Sequence, residues 1–355
     1  MRIDTETHYW TPGFLDYLGG RSTAPRLDVL DDGSLRMDSN VSHEFIAVVP
    51  RAVRDLQLDL GEGRIRRMDD NGIDVALLSL TTPSVEQLEP EASLAQARAV
   101  NDALAEVLRR WPDRFVGMAC VAASKPEESA EEIERCATEL GFKAVNIMGH
   151  VADDEHPYLD HPKYRPLFAA AARLGLPVNL HPMVPHAGLI GPYLGYGWAL
   201  PTTGLGFGAE TALHAVRLIL SGLFDEHPDL KMTLGHFGEA LSFWTFRLDL
   251  GFRSSRIAVK GGERCEHPPS HYLRNNFWFN SSGNFLNSAL IGCLFEFGAD
   301  RLMFASDYPW EPLEEAAAFM DAAPLSPADR EKVEWRNAVE LFSLDVSACN
   351  SPKCV

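Results

Sequence analysis

The chain has 355 residues, 46% apolar and 23% charged, the composition of an ordinary soluble fold. Asp and Glu number 50 against 32 Lys and Arg, and the resulting formal charge of −18 argues against nucleic acid or an anionic membrane as partner. No stretch approaches the ~20 apolar residues of a membrane helix, and Met1-Arg2-Ile3-Asp4 shows no apolar leader, so the expected location is cytoplasmic.

Taken in chain order, short apolar and β-branched runs predict strands at 2–4, 75–79, 115–119, 144–148, 178–180, 231–234, 277–280 and 302–305. Helical patterns fall at 91–110, 126–140, 163–174, 209–225, 238–250, 284–297, 313–321 and 328–341. Eight alternating units point to an α/β fold, a (β/α)8 TIM-like barrel. The competing Rossmann-like reading lacks a GxGxxG after the first strand. Ser124 before Pro126-Glu127-Glu128, and Ser326 before Pro327, read as N-caps.

One barrel domain is expected over 1–342, with a flexible tail at 343–355. Residues 11–63 are a long insertion, with a hairpin suggested at Asp31-Asp32-Gly33-Ser34. Residues 182–208 are rich in Gly and Pro and carry Tyr193, Tyr196, Trp198 and Phe207. Both segments are expected to wall a pocket, because long βα loops sit on a barrel's C-terminal face. The cysteines, Cys120, Cys136, Cys265, Cys293, Cys349 and Cys354, form no CxxC pair and read as reduced thiols.

Barrel chemistry gathers where strands end. The first strand ends in Glu6-Thr7-His8, the fifth in His181, the sixth in His236 and the eighth in Asp307. Singly, each has an ordinary reading: a surface pair, a core histidine, a turn aspartate. Jointly, they put ligand-type side chains on one mouth. Glu6 and His8, two apart, leave one face of a strand.

This E-x-H, H, H, D order resembles the amidohydrolase superfamily. The resemblance extends through Pro50-Arg51-Ala52-Val53-Arg54, 64–69, 209–211, 222–228, Gly235-His236-Phe237-Gly238-Glu239 and Ser306-Asp307-Tyr308-Pro309. It is to the branch holding aminocarboxymuconate semialdehyde decarboxylase and the non-oxidative hydroxybenzoate decarboxylases. Glu6, where the semialdehyde decarboxylases have His, resembles the enzymes of ortho-hydroxybenzoates such as γ-resorcylate and 5-carboxyvanillate. The resemblance implies one divalent cation on Glu6, His8, His181 and Asp307. Two carboxylates beside two imidazoles suit Mn²⁺, with Zn²⁺ or Mg²⁺ as alternatives. The fourth strand ends Asn146-Ile147-Met148-Gly149, without the bridging lysine of two-metal relatives.

The implied reaction is loss of CO₂ from a small aromatic acid. Asp307 and His236 would manage the proton, and Glu239 would orient the imidazole. Arg51 and Arg247 would grip the carboxylate, with Arg247 reaching a neighbouring subunit's site, so a homodimer or higher oligomer is implied. Trp10, Trp198 and Tyr308 are candidate walls for the ring, with core packing as the competing reading. Two other functions compete: a mononuclear lactone or amide hydrolase, and a barrel whose site has decayed.

Overall fold

A computed structural model describes residues 1–39, 46–151, 154–254 and 265–345. Eight parallel strands form one sheet: β1 (Ile3–Tyr9), β5 (Val75–Leu80), β6 (Phe115–Cys120), β7 (Ala144–Met148), β8 (Val178–His181), β9 (Met232–Leu234), β10 (Phe277–Asn280) and β11 (Leu302–Met303), hydrogen-bonded in that order. The numbers skipped belong to a separate antiparallel sheet of β2 (Arg26–Val29), β3 (Leu35–Asp38) and β4 (Ile46–Val49). The eight-stranded sheet closes on itself. Thr5 N donates to Phe304 O at 3.1 Å, Asp307 N to Glu6 O at 3.1 Å and His8 N to Tyr308 O at 2.7 Å. The predicted barrel is present, with helices between its strands.

The first strand runs further than its sequence pattern predicts. Its pairing with β5 slips by one residue between Asp4 and Thr7, a bulge that carries the strand on to Tyr9. Glu6 and His8 therefore lie within a buried strand. The last barrel strand is shorter than predicted, although Phe304 still pairs with β1.

Apolar side chains close the lower end of the barrel. Ile3, Val75, Leu77, Met118, Ala144 and Met303 pack on Ala338, Leu341 and Phe342 from the helix Asn337–Phe342. Within the barrel, polar groups pair in register. Asn179 donates to Asn146 at 2.9 Å and Thr233 to Asn179 at 2.7 Å, so neighbouring strands satisfy each other without water.

The expected hairpin at Asp31–Ser34 joins β2 to β3, with Gly33 at φ +83°. Ser326 Oγ accepts from Asp329 N at 3.1 Å, the expected N-cap. Ser124 is not a cap: Lys125 takes that position with no side-chain bond, and Ser129 Oγ accepts from Ala122 N instead. The expected helix over 238–250 is broken into the turns His236–Glu239 and Leu241–Phe243 and the helix Thr245–Arg253. Most of the tail, including Cys349 and Cys354, lies outside the described residues. The other four cysteines are buried, and Cys120, Cys136 and Cys293 are free thiols. Among the described residues no helix is long and apolar enough to cross a membrane.

Candidate active site

Glu6, His8, His181 and Asp307 converge at the C-terminal mouth of the barrel. One ligand atom from each lies within 4.8 Å of the others, and all four side chains are buried. His8 Nε2 is 2.8 Å from Asp307 Oδ1 and 3.1 Å from His181 Nε2. His181 Nε2 is 3.7 Å from Glu6 Oε1.

Hydrogen bonds behind these groups fix where the protons sit. His181 Nδ1 lies 2.9 Å from the Pro182 carbonyl, which only accepts, so Nδ1 carries the proton and Nε2 a lone pair. Ser79 Oγ donates to Thr7 O at 3.2 Å and accepts from His8 Nδ1 at 3.0 Å. The Nε2 of His8 is thus also a lone pair. Glu6 accepts from Asn280 Nδ2 and from Ser282 Oγ, each at 3.0 Å. Four electron-rich atoms meet with no donor among them, an arrangement that a cation satisfies and that otherwise repels itself. The donor set fits one divalent ion with mixed oxygen and nitrogen ligands.

The electrostatics agree. Burial holds the His181 imidazole neutral, pulling its pKa down to about 3. Burial raises the pKa of the Glu6 carboxyl. At Asp307 burial acts in the same direction, but the His236 imidazole outweighs it and holds the carboxylate below its ordinary range.

Beside the four lies the pair His236 and Glu239, with Nδ1 2.8 Å from Glu239 Oε1 and Nε2 3.6 Å from Asp307 Oδ2. Burial disfavours the imidazolium, yet Glu239 and Asp307 overcome it and raise the pKa well above 6.5. The backbone here is unusual. His236, Phe237, Gly238, Glu239 and Ala240 all have positive φ, between 52° and 73°, a left-handed turn. Such a run costs roughly 1–2 kcal/mol for each residue bearing a Cβ. It brings His236 and Glu239 together over three residues. Gly283, at φ +56°, makes room for this group, since a Cβ there would fall 2.8 Å from Asp307 Oδ2 and 3.1 Å from His236.

A cavity of about 780 Å³ opens onto His236, Glu239 and Asp307, with Leu205, Phe207, Leu241 and Trp244 among its apolar walls. Its volume is in the range for a small-molecule site. The 182–208 loop thus contributes a wall, as expected, whereas no described residue of 11–63 lines the cavity. Among the described residues no Lys or Arg lines it either, and Glu311 adds a third carboxylate.

The five residues expected to hold substrate are not among those lining this cavity. Arg51 has a side chain 66% exposed and lies 3.4 Å from Asp55. Arg247 is exposed on its helix, as is Trp198 in its loop. Trp10 is fully buried, its Nε1 donating to Thr82 O at 3.2 Å and its ring set edge-on to Trp310. Tyr308 is buried under Arg64. For Trp10 and Tyr308 this arrangement is core packing. Sequence reasoning passed over Ser79, Asn280 and Ser282, which orient His8 and Glu6. Ser79 and Asn280 stand at strand ends and could have been found by the same positional rule.

Known proteins share this fold and much of the sequence. The family described as Amidohydrolase matches residues 3–344. The γ-resorcylate decarboxylase of Rhodococcus jostii (strain RHA1) is 40% identical over 295 residues, covering 81% of this chain and 89% of that protein. A dihydroxybenzoic acid decarboxylase structure from Polaromonas sp. JS666, with bound manganese and the inhibitor 2-nitroresorcinol, is 34% identical, with a TM-score of 0.83 and 97% of both chains covered. The 5-carboxyvanillate decarboxylase structure from Sphingomonas paucimobilis is 32% identical, with a TM-score of 0.85, covering 97% of this chain and 99% of that one. The chain belongs to the amidohydrolase family.

Proposed function

We propose that this protein is a metal-dependent, non-oxidative decarboxylase of an aromatic acid with a hydroxyl ortho to the carboxylate. The observation that carries this reading is the meeting of two unprotonated Nε2 atoms with two carboxylates beside a raised-pKa imidazole. The relatives named above support the substrate class.

Glu6, His8, His181 and Asp307 would hold Mn²⁺, with Zn²⁺ or Mg²⁺ as competitors. When bound, the ion orients an ortho-hydroxy acid and increases the acidity of its hydroxyl. The chain's own residues supply the proton. His236 keeps a proton on Nε2 because Glu239 fixes Nδ1 as a donor and favours the cation. That proton, passed directly or through Asp307, goes to the ring carbon bearing the carboxylate. The carbon–carbon bond to the carboxylate then breaks, its electron pair returns to the ring, and CO₂ departs. Apolar side chains, among them Leu205, Phe207, Leu241 and Trp244, line the cavity in which this step takes place.

Among the described residues, the cavity of one chain lacks the cationic side chain that an acid substrate calls for. A second copy would supply it. Phe243, Trp244, Phe246 and Leu250 are exposed around Arg247, and Phe295, on a neighbouring helix, is 87% exposed. An apolar surface of this kind marks a protein interface. We therefore assign a homodimer in which Arg247 of one copy faces the cavity of the other, with Arg51 as a further carboxylate contact. The buried free thiols of Cys120, Cys136 and Cys293 fit a reducing cytoplasm.

The test is incubation of the Mn²⁺-loaded protein with 2,6-dihydroxybenzoate in D₂O. Release of CO₂ with deuterium at the former carboxylate position is expected. Hydrolysis of lactones or amides without CO₂ release from any hydroxybenzoate would overturn the reading. Light scattering tests the dimer, and a rise in KM for Arg247→Ala tests its reach across the interface.

A further inference from the structure

Arg64 lies on the helix Glu62–Asp70 and is only 1% exposed. No carboxylate lies within ion-pair distance of it among the described residues, although other arginines of the same helix, Arg66 and Arg67, have such partners. Burial lowers its pKa to about 10, so the guanidinium stays charged at neutral pH. A buried cation without an anionic partner is unfavourable for folding and calls for a reason.

Its contacts supply one. Nη2 donates to the backbone carbonyl of His8 at 2.6 Å and to that of Leu56 at 3.3 Å. The guanidinium also lies 4.9 Å from the ring centroid of Tyr308. Nε and Nη1 have no hydrogen-bond partner, so a surface-style ion pair does not account for the residue. His8 and Tyr308 face one another where β1 meets the segment after β11, and His8 N donates to Tyr308 O at 2.7 Å. Tyr308 directly follows Asp307. One side chain therefore grips both backbone segments that carry cation-binding groups.

We propose that Arg64 is a positioning residue for the metal centre, fixing the His8 backbone against Tyr308 so that His8 Nε2 and Asp307 Oδ1 stay at their 2.8 Å separation. This rests on the metal-centre reading above. The cation–π contact and the hydrogen bond both act from behind the ligands, as outer partners of metal ligands do. Lysine could reach the carbonyl but could not lay a plane on the ring.

The experiment compares full-length wild type, Arg64→Lys and Arg64→Met. Titration calorimetry gives Mn²⁺ affinity, saturating Mn²⁺ gives kcat, and the melting temperature of the chelated protein gives stability without metal. Arg64→Met is expected to bind Mn²⁺ about ten- to a hundred-fold more weakly, with Arg64→Lys in between. A folded Arg64→Met with wild-type Mn²⁺ affinity would overturn the proposal, including the case where only the chelated protein's melting temperature falls. If Arg64→Met does not fold, Tyr308→Leu removes the other half of the clamp. It is expected to weaken Mn²⁺ in the same direction, and an unchanged affinity there also overturns the proposal. Failure of the metal-centre reading would look different, because the wild type itself would not bind Mn²⁺.

Discussion

The Nε2 atoms of His8 and His181 face each other at 3.1 Å, and neither carries a proton. Two lone pairs so placed repel, and the Glu6 and Asp307 carboxylates add to that repulsion. Chelation is therefore expected to lower the melting temperature and Mn²⁺ to restore it. At a hundred-fold excess over its Kd, the ion adds about 2.7 kcal/mol. Glu6→Ala should purify with little bound metal. Elemental analysis checks this, and a full metal complement in that variant would remove Glu6 from the ligand set.

Asp307 touches both the cation site and His236. Asp307→Asn keeps the shape and removes the charge. The variant is expected to keep its circular dichroism spectrum and lose at least about a thousand-fold in kcat, within the range ascribed to proton transfer by a placed side chain. Near-normal turnover would exclude Asp307 from the chemistry.

Glu311 lines a cavity that has no lysine or arginine among the described residues, and burial followed by the nearby Asp307 raises its pKa. A second carboxylate on the substrate would meet it unfavourably. The protein is expected to prefer a monocarboxylate, and Glu311→Gln to raise kcat/KM for a dicarboxylate ring relative to 2,6-dihydroxybenzoate, by roughly ten-fold for a difference of about 1.4 kcal/mol. A selectivity ratio unmoved by the substitution would count against this role.

Glu86 is buried, accepts from Met148 N at 2.9 Å and bonds Ser84. Burial raises its carboxyl from 4.5 to about 7. Below pH 4.5 folded and unfolded chains both hold the proton. As pH climbs from there to 7 the unfolded chain releases it first, so stability falls over that window. Glu86→Gln is expected to flatten this part of the stability profile and to add up to about 3 kcal/mol at pH 8. Urea titrations at pH 5 and pH 8 check it. An unchanged difference between the two would show that Glu86 ionises freely in the fold.

Ala240 is exposed, with φ at +62°, and closes the left-handed turn that carries His236 and Glu239. Glycine adopts that conformation without steric conflict. Ala240→Gly should stabilise the protein by about 1 kcal/mol with kcat little changed. Thermal melts and assays of one preparation suffice, and a destabilised variant would show that the turn is not strained at this position.

The ligand set was readable because barrels place chemistry at strand ends and because His, Glu and Asp are conspicuous there. The residues that aim those ligands were not. Asn280 and Ser282 look like ordinary strand-end polar residues, and only their bonds to Glu6 show their part. Trp10 reads as a ring wall from its place after Glu6 and His8, yet at the end of the bulged strand its indole turns into the core. Within the turn at 236–240, residues 238–240 read as the start of a helix, with Glu239 as a first-turn acid. Tertiary contacts impose the opposite hand, and nothing local in His-Phe-Gly-Glu-Ala announces it.

The seam where Glu6, Thr7 and His8 meet Asp307 and Tyr308 joins two segments far apart in the chain. Those partners are some 300 residues apart in sequence, so the seam brings a large loss of chain entropy. During synthesis Glu6 and His8 are made some 300 residues before Asp307 and wait for it. Cation capture thus reports that the final strand has docked, and a nascent chain stopped short of Asp307 would present an open, edge-exposed sheet with half a binding site.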